Sequence, residues 1–157
     1  MINTDNVKAL ADFLIQNKLT ISVAESCTGG SLASTLTSLS GASVYFDRGF
    51  VTYSNKAKQD LLSVNKDTIT KYGAVSEEVA LEMINGVIKN STSDFALAIT
   101  GIAGPSGGTT TKPVGMVCFG FSTYGNNLTS TQLFKGDRLG IISQSVKYSI
   151  EQLLKQT

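Results

Sequence analysis

The sequence predicts an α/β domain of three layers, α/β/α, with helices on both faces of a mixed, mostly parallel central sheet. Three observations lead there. The apolar run at 95–99 lacks alternation, which suits a central strand covered on both sides, and 21–24 reads as a second short buried strand. Amphipathic stretches at helical spacing separate the strand-like runs. A tight turn at Gly125-Asn126-Asn127 joins two further runs and adds an antiparallel pair. With 157 residues, no internal repeat and no linker, residues 1–157 form one domain that buries about two-thirds of its unfolded surface.

Asn3 or Thr4 caps a first helix, whose Val7, Leu10, Ala11 and Leu14 recur on one face. Residues 21–24 form a short buried strand. A helix rich in Ser, Thr and Ala occupies 30–39 and stops at Ser40-Gly41. Residues 46–53 form a second strand, and Ser54 then caps a short helix carrying Lys56, Lys58, Leu61 and Leu62. Ser76 followed by Glu77 and Glu78 starts another helix, since carboxylates favour the positive end of the dipole. Val79, Ala80, Met83, Ile84 and Val87 make its apolar face. After the strand at 95–99, a glycine-rich loop runs from 100 to 115. Strands at 116–121 and 128–134 flank the turn. A last helix from about Gly136 buries Ile142, Val146, Ile150 and Leu153.

Composition excludes several function classes. Net charge is +1, from 13 basic and 12 acidic side chains spread along the chain. Without a basic stripe or interleaved aromatics, no nucleic-acid footprint is present. No secretory core or membrane-length apolar run follows the polar start, so no membrane contact is expected and the expected compartment is cytoplasmic. Cys27 and Cys118 are then free thiols, too far apart in sequence to resemble a metal motif. No metal and no cofactor are expected. Histidine is absent, which removes every Ser-His and Cys-His mechanism. If a serine is the nucleophile, lysine is the remaining base.

The stretch Glu25-Ser26-Cys27-Thr28-Gly29-Gly30 stands directly behind the first strand. At a strand's carboxyl end, Ser26 faces the crevice where open α/β sheets bind ligands. It is either a nucleophile whose oxyanion meets unpaired N–H groups at the next helix start, or Ser26 or Thr28 simply caps that helix. The loop Gly101-Ile-Ala-Gly104-Pro-Ser-Gly107-Gly108 either wraps an anion with its amides or is an ordinary crossover. Arg138 offers a guanidinium fork to a phosphate, or is a solvated charge near a helix start. Lys58 by itself reads as a surface charge. Two matches are set aside: Gly104-Pro-Ser-Gly-Gly108 has the nucleophile-elbow spacing but no helix behind it and no His, and Ser63-Val-Asn-Lys66 fits S-x-x-K too loosely to weigh.

Six ordered stretches carry a resemblance: Val23-Ala-Glu-Ser-Cys-Thr-Gly-Gly30, Gly49-Phe-Val-Thr-Tyr-Ser-Asn-Lys-Ala-Lys58, Tyr72-Gly-Ala-Val-Ser-Glu-Glu78, Thr100-Gly-Ile-Ala-Gly-Pro105, Lys112-Pro-Val-Gly115 and Phe134-Lys-Gly-Asp-Arg138. Together they resemble the CinA C-terminal domain family over essentially the whole chain. The resemblance implies hydrolysis of a primary carboxamide, converting nicotinamide mononucleotide (NMN) and water to nicotinic acid mononucleotide and ammonia. It implies Ser26 as nucleophile and Lys58 as its partner, with Tyr53 and Thr100 close to the reacting centre, and no metal. Cys27, Thr28, Gly29, Gly30 and Gly101 are the implied substrate contacts near that centre. Gly104, Gly107, Gly108, Lys112 and Arg138 are the candidates for the nucleotide phosphate. A homo-oligomer is also implied.

This chain departs from the pattern twice. Lys56 stands where similar members commonly carry Glu, and Ile142 where an arginine is often found. The first sets a second cation near Lys58, although positions two apart on a helix do not face each other. The second leaves more of any anion contact to Arg138. Because the family also occurs fused to a larger N-terminal domain, a non-catalytic nucleotide-binding or regulatory domain is the competing expectation.

Overall fold

The structure is a computed structural model and describes residues 3–157. Asn3 caps α1 (Thr4–Gln16) by accepting from the Asp5 N–H, and Val7, Leu10, Ala11 and Leu14 are all buried. β1 (Ile21–Glu25) is buried at every position. The following helix, α2 (Ser31–Leu36), is shorter than its expected span. Hydroxyls of Thr35, Thr37 and Ser38 bond back to the carbonyls of Ser31, Ala33 and Thr35 at 2.7–2.8 Å. Such bonds compete with the helical ladder and end it early.

β2 (Phe46–Val51) stops before Tyr53. The Ser54 hydroxyl accepts from Ala57 N–H and opens α3 (Asn55–Leu62). Next comes α4 (Lys66–Tyr72), capped by Asn65, a helix the sequence did not reveal. It buries no residue fully, so it presents no apolar stripe to read. α5 (Glu77–Lys89) begins at Ser76 and buries Val79, Ala80, Met83, Ile84 and Val87, as its spacing predicts. β3 (Phe95–Gly101), β4 (Met116–Thr123) and β5 (Asn126–Leu133) complete the sheet. Tyr124 and Gly125, with φ of 51° and 79°, make the turn between β4 and β5. That turn lies one residue earlier than expected, and Asn126 already pairs with Thr123. α6 (Arg138–Leu154) buries Ile141 where Ile142 was expected; Ile142 is half-buried at the margin of the core.

The strand order is β2-β1-β3-β4-β5. β1 runs parallel to both neighbours, while β4 is antiparallel to β3 and β5. Four strands therefore point one way and β4 alone opposes them. Alternation along β3 divides the core. Phe95, Leu97 and Ile99 face α1, α2 and α6, whereas Ala96 and Ala98 face α5 with Leu62 and Val64 nearby. Small residues on that second face let α5 lie close: a Cβ on Gly120 would come within 2.7 Å of the Ala80 carbonyl oxygen. α3 is seated equally tightly, since a Cβ on Gly86 would come within 2.7 Å of Leu62 Cα. The chain leaves β1 toward β2 and leaves β3 toward β4, on opposite sides. Their carboxyl ends thus form the switch point where such sheets bind ligands.

Candidate active site

Ser26 is the first residue beyond β1, and its N–H donates to the Ile99 carbonyl at 2.9 Å, just before Thr100 in β3. On the other side, Thr52 N–H donates to the Glu25 carbonyl at 2.8 Å and fixes the exit of β2. α3 starts immediately afterwards and turns Lys58 inward. That lysine is 1% exposed. Its Nζ lies 2.9 Å from Ser26 Oγ, 3.0 Å from the Thr52 carbonyl oxygen and 3.5 Å from that of Tyr53. A cleft of about 320 Å³ opens over the pair.

Burial lowers the pKa of Lys58 below the ordinary lysine value, and neighbouring Cys27 works more weakly the other way. Among the described residues no carboxylate pairs with it; the ion pairs of the chain involve Lys8, Arg48, Lys56 and Lys147. A neutral amine has two N–H groups and one lone pair. Carbonyls of Thr52 and Tyr53 stand ready for the two donors, leaving the lone pair for the Ser26 hydroxyl. Lys56 adds nothing here: its ammonium is exposed and paired with Asp60 at 2.6 Å. The lowering at Lys58 comes from burial rather than from a second cation. Cys27, also in the cleft wall, has its thiol pushed up to about 12, chiefly by burial, and stays protonated.

Neither Ser26 nor Thr28 caps α2. The Glu25 carboxylate does so, accepting from Leu32 N–H at 2.6 Å and Ala33 N–H at 3.2 Å. Nothing in the sequence pointed to this role for Glu25, which stood only as the first residue of the stretch behind the strand. Its presence corrects the expectation of a vacant helix start: the amides there are filled. Among the described residues, the N–H groups of Cys27 and Thr28 find no protein acceptor and remain beside Ser26.

The cleft gathers Ser26, Cys27, Tyr53, Lys58, Thr100, Gly101, Gly104, Gly107 and Arg138 from the expected set. Neither the Tyr53 nor the Thr100 hydroxyl touches Lys58. Thr100 Oγ1 donates to the Ala74 carbonyl at 2.8 Å. Arg138 donates to the Tyr53 hydroxyl at 2.7 Å and to the Gly104 carbonyl at 2.8 Å, tying the start of α6 to both rims of the mouth. Thr28, Gly29, Gly30, Gly108 and Lys112 do not line the cleft. Thr28 is buried, and Gly29 N–H is spent on the Ser26 carbonyl at 3.0 Å. The Lys112 ammonium donates to the carbonyls of Tyr72 and Val75, so it faces the α4–α5 turn rather than the opening. Ile142 packs against the core. Ala74 and Val75 contribute to the wall unforeseen; they act through backbone, although the stretch containing them carried part of the resemblance.

A model of the CinA C-terminal domain matches residues 3–157. The nicotinamide-nucleotide amidohydrolase PncC of Enterobacter agglomerans is 48% identical over 137 residues, covering 87% of this chain and 84% of its own. Its namesake in Escherichia coli (strain K12) is 46% identical over 138 residues, with the same 87% and 84% coverage. A putative competence-damage inducible protein of Clostridium beijerinckii is 49% identical over 152 residues, 97% of this chain but 37% of that longer protein. The crystal structure of a CinA superfamily protein from Escherichia coli superposes with a TM-score of 0.95 at 38% identity, covering 98% of this chain and 90% of its own. By sequence and by fold, the chain belongs to the CinA C-terminal domain family.

Proposed function

We propose that this protein is a nicotinamide-nucleotide amidohydrolase, which hydrolyses the carboxamide of NMN to nicotinic acid mononucleotide and ammonia with Ser26 as nucleophile and Lys58 as base. The observation that carries the reading is the buried amine 2.9 Å from the Ser26 hydroxyl, without an acid beside it. Relatives named for this activity support the choice of substrate. Nothing in the reaction calls for a metal.

Each step follows from the groups present. Lys58 takes the Ser26 proton as the oxygen attacks the carboxamide carbon. The resulting oxyanion meets the Cys27 amide, which lines the cleft beside Ser26. Lys58 returns the proton to the departing nitrogen, which leaves as ammonia. Water then attacks the serine ester, giving its proton to Lys58, and the Ser26 oxygen recovers that proton as the acid departs. The thiol of Cys27 takes no part, since it stays protonated at neutral pH. Arg138 has donors to spare beyond Tyr53 and Gly104 and suits the phosphate at the mouth.

Purified protein given NMN is expected to release ammonia, with Ser26→Ala and Lys58→Ala each lowering turnover by about 10²–10⁴-fold or more. Undiminished turnover in Ser26→Ala would overturn the mechanism. Calorimetric binding of NMN by the unaltered protein without any ammonia would point instead to a nucleotide-binding module. Turnover is expected to rise with pH through one deprotonation, below the ordinary lysine range, because the neutral amine is the working form.

A further inference from the structure

We infer that Thr100 distinguishes carboxamide from carboxylate, and that Lys112 is the positioning residue that holds it in the discriminating state. The inference rests on the amidohydrolase reading above and assigns the selectivity of that same cleft.

A threonine hydroxyl has one hydrogen and two lone pairs. Thr100 is 1% exposed, lines the cleft with Ser26 and Lys58, and gives its hydrogen to the Ala74 carbonyl at 2.8 Å. Among the described residues no donor is directed at its Oγ1. What Thr100 turns toward the cleft is therefore lone-pair density. A primary carboxamide supplies two N–H groups to meet it. A carboxylate supplies none, and brings negative charge against an acceptor. Turning the hydroxyl hydrogen toward an acid would strand the Ala74 carbonyl at a costly, mostly buried site.

Ala74 can hold that hydrogen only if its turn is held. Ser76 Oγ donates to the Gly73 carbonyl at 2.8 Å. The Lys112 ammonium donates to the carbonyls of Tyr72 and Val75, which flank Ala74 on either side, the latter at 2.6 Å. Lys112 is itself anchored in the loop after β3: Thr109 N–H donates to its carbonyl at 2.7 Å, and its N–H donates to Thr109 Oγ1 at 3.0 Å. One cation thus gathers the carbonyls of Tyr72 and Val75 and Ser76 holds that of Gly73, leaving the Ala74 carbonyl to accept from Thr100. That geometry gives Lys112 a different task from binding a phosphate.

The test uses Ser26→Ala protein, in which the amide persists, and compares calorimetric affinities for NMN and nicotinic acid mononucleotide. The amide is expected to bind roughly tenfold or more tightly than the acid. Adding Thr100→Val is expected to bring the two affinities together, while Thr100→Ser keeps them apart. An unchanged preference in Thr100→Val would overturn the assignment. Should the valine variant not fold, Lys112→Met carries the same test from outside the cleft. It is expected to narrow the preference, and to do so equally for the phosphate-free pair, nicotinamide riboside and nicotinic acid riboside. If Lys112→Met weakens both nucleotides alike and spares both ribosides, Lys112 is a phosphate ligand and the positioning role is wrong. Failure of the parent reading looks different: no ammonia from the unaltered protein and no NMN bound by Ser26→Ala.

Discussion

A lysine sealed from water with no acid beside it costs the fold stability, and the cost depends on pH. The folded-state pKa of Lys58 lies below the ordinary value of about 10.4 that the unfolded chain restores. Between those two values the unfolded state binds more protons, so stability rises as pH rises through that window. Below it the penalty is complete. Lys58→Met removes the titration, and its melting temperature relative to the parent is expected to be higher at pH 7 than at pH 10. Paired thermal melts at the two pH values measure this; a difference that does not change with pH would show that Lys58 titrates as an ordinary lysine. The partners of this dyad were half legible in the sequence. The absence of histidine pointed to lysine, but only the family motif singled out Lys58 from the other basic residues. The contacts of Glu25 and Lys112 were illegible because both side chains bond main-chain groups brought near by folding, seven and about forty residues away.

Elements were readable wherever a cap and an apolar stripe coincided. α1, α3 and α5 start at Asn3, Ser54 and Ser76, each accepting a hydrogen bond from its own first turn. α2 lacked such a signal because its cap comes from the preceding strand, and α4 because no face of it is fully buried. How α3 is placed matters most for the proposed chemistry, since it carries Lys58 and rests against Gly86 of α5. A methyl at position 86 would collide with Leu62 backbone and force the two helices apart. Gly86→Ala is therefore expected to cost about 1–3 kcal/mol of stability and to slow turnover by displacing Lys58 from Ser26. Urea midpoints and ammonia release on the same preparation check both effects together.

Across the whole molecule, two apolar layers share one sheet, and β3 contributes to both through alternate residues. Neither layer can persist without the other, so urea unfolding is expected to be a single transition. Far-UV circular dichroism and tyrosine fluorescence should coincide, there being no tryptophan to follow. The mixed sheet was legible because a tight turn near Asn126 joins its strands as an antiparallel pair, whereas the order of strands depends on crossovers that local sequence does not encode. Among the described residues the ion pairs all lie at the surface, three of them one helical turn apart. Raising NaCl from low concentration to 1 M is expected to move the melting temperature by no more than about 3 °C. The buried carboxylate of Glu25 has a wider effect. By plugging the amides that open α2, it denies that helix start to free inorganic anions, so sulfate in a buffer is left with the guanidinium of Arg138 at the rim and the unpaired amide beside Ser26, and is expected to compete with substrate there rather than at α2.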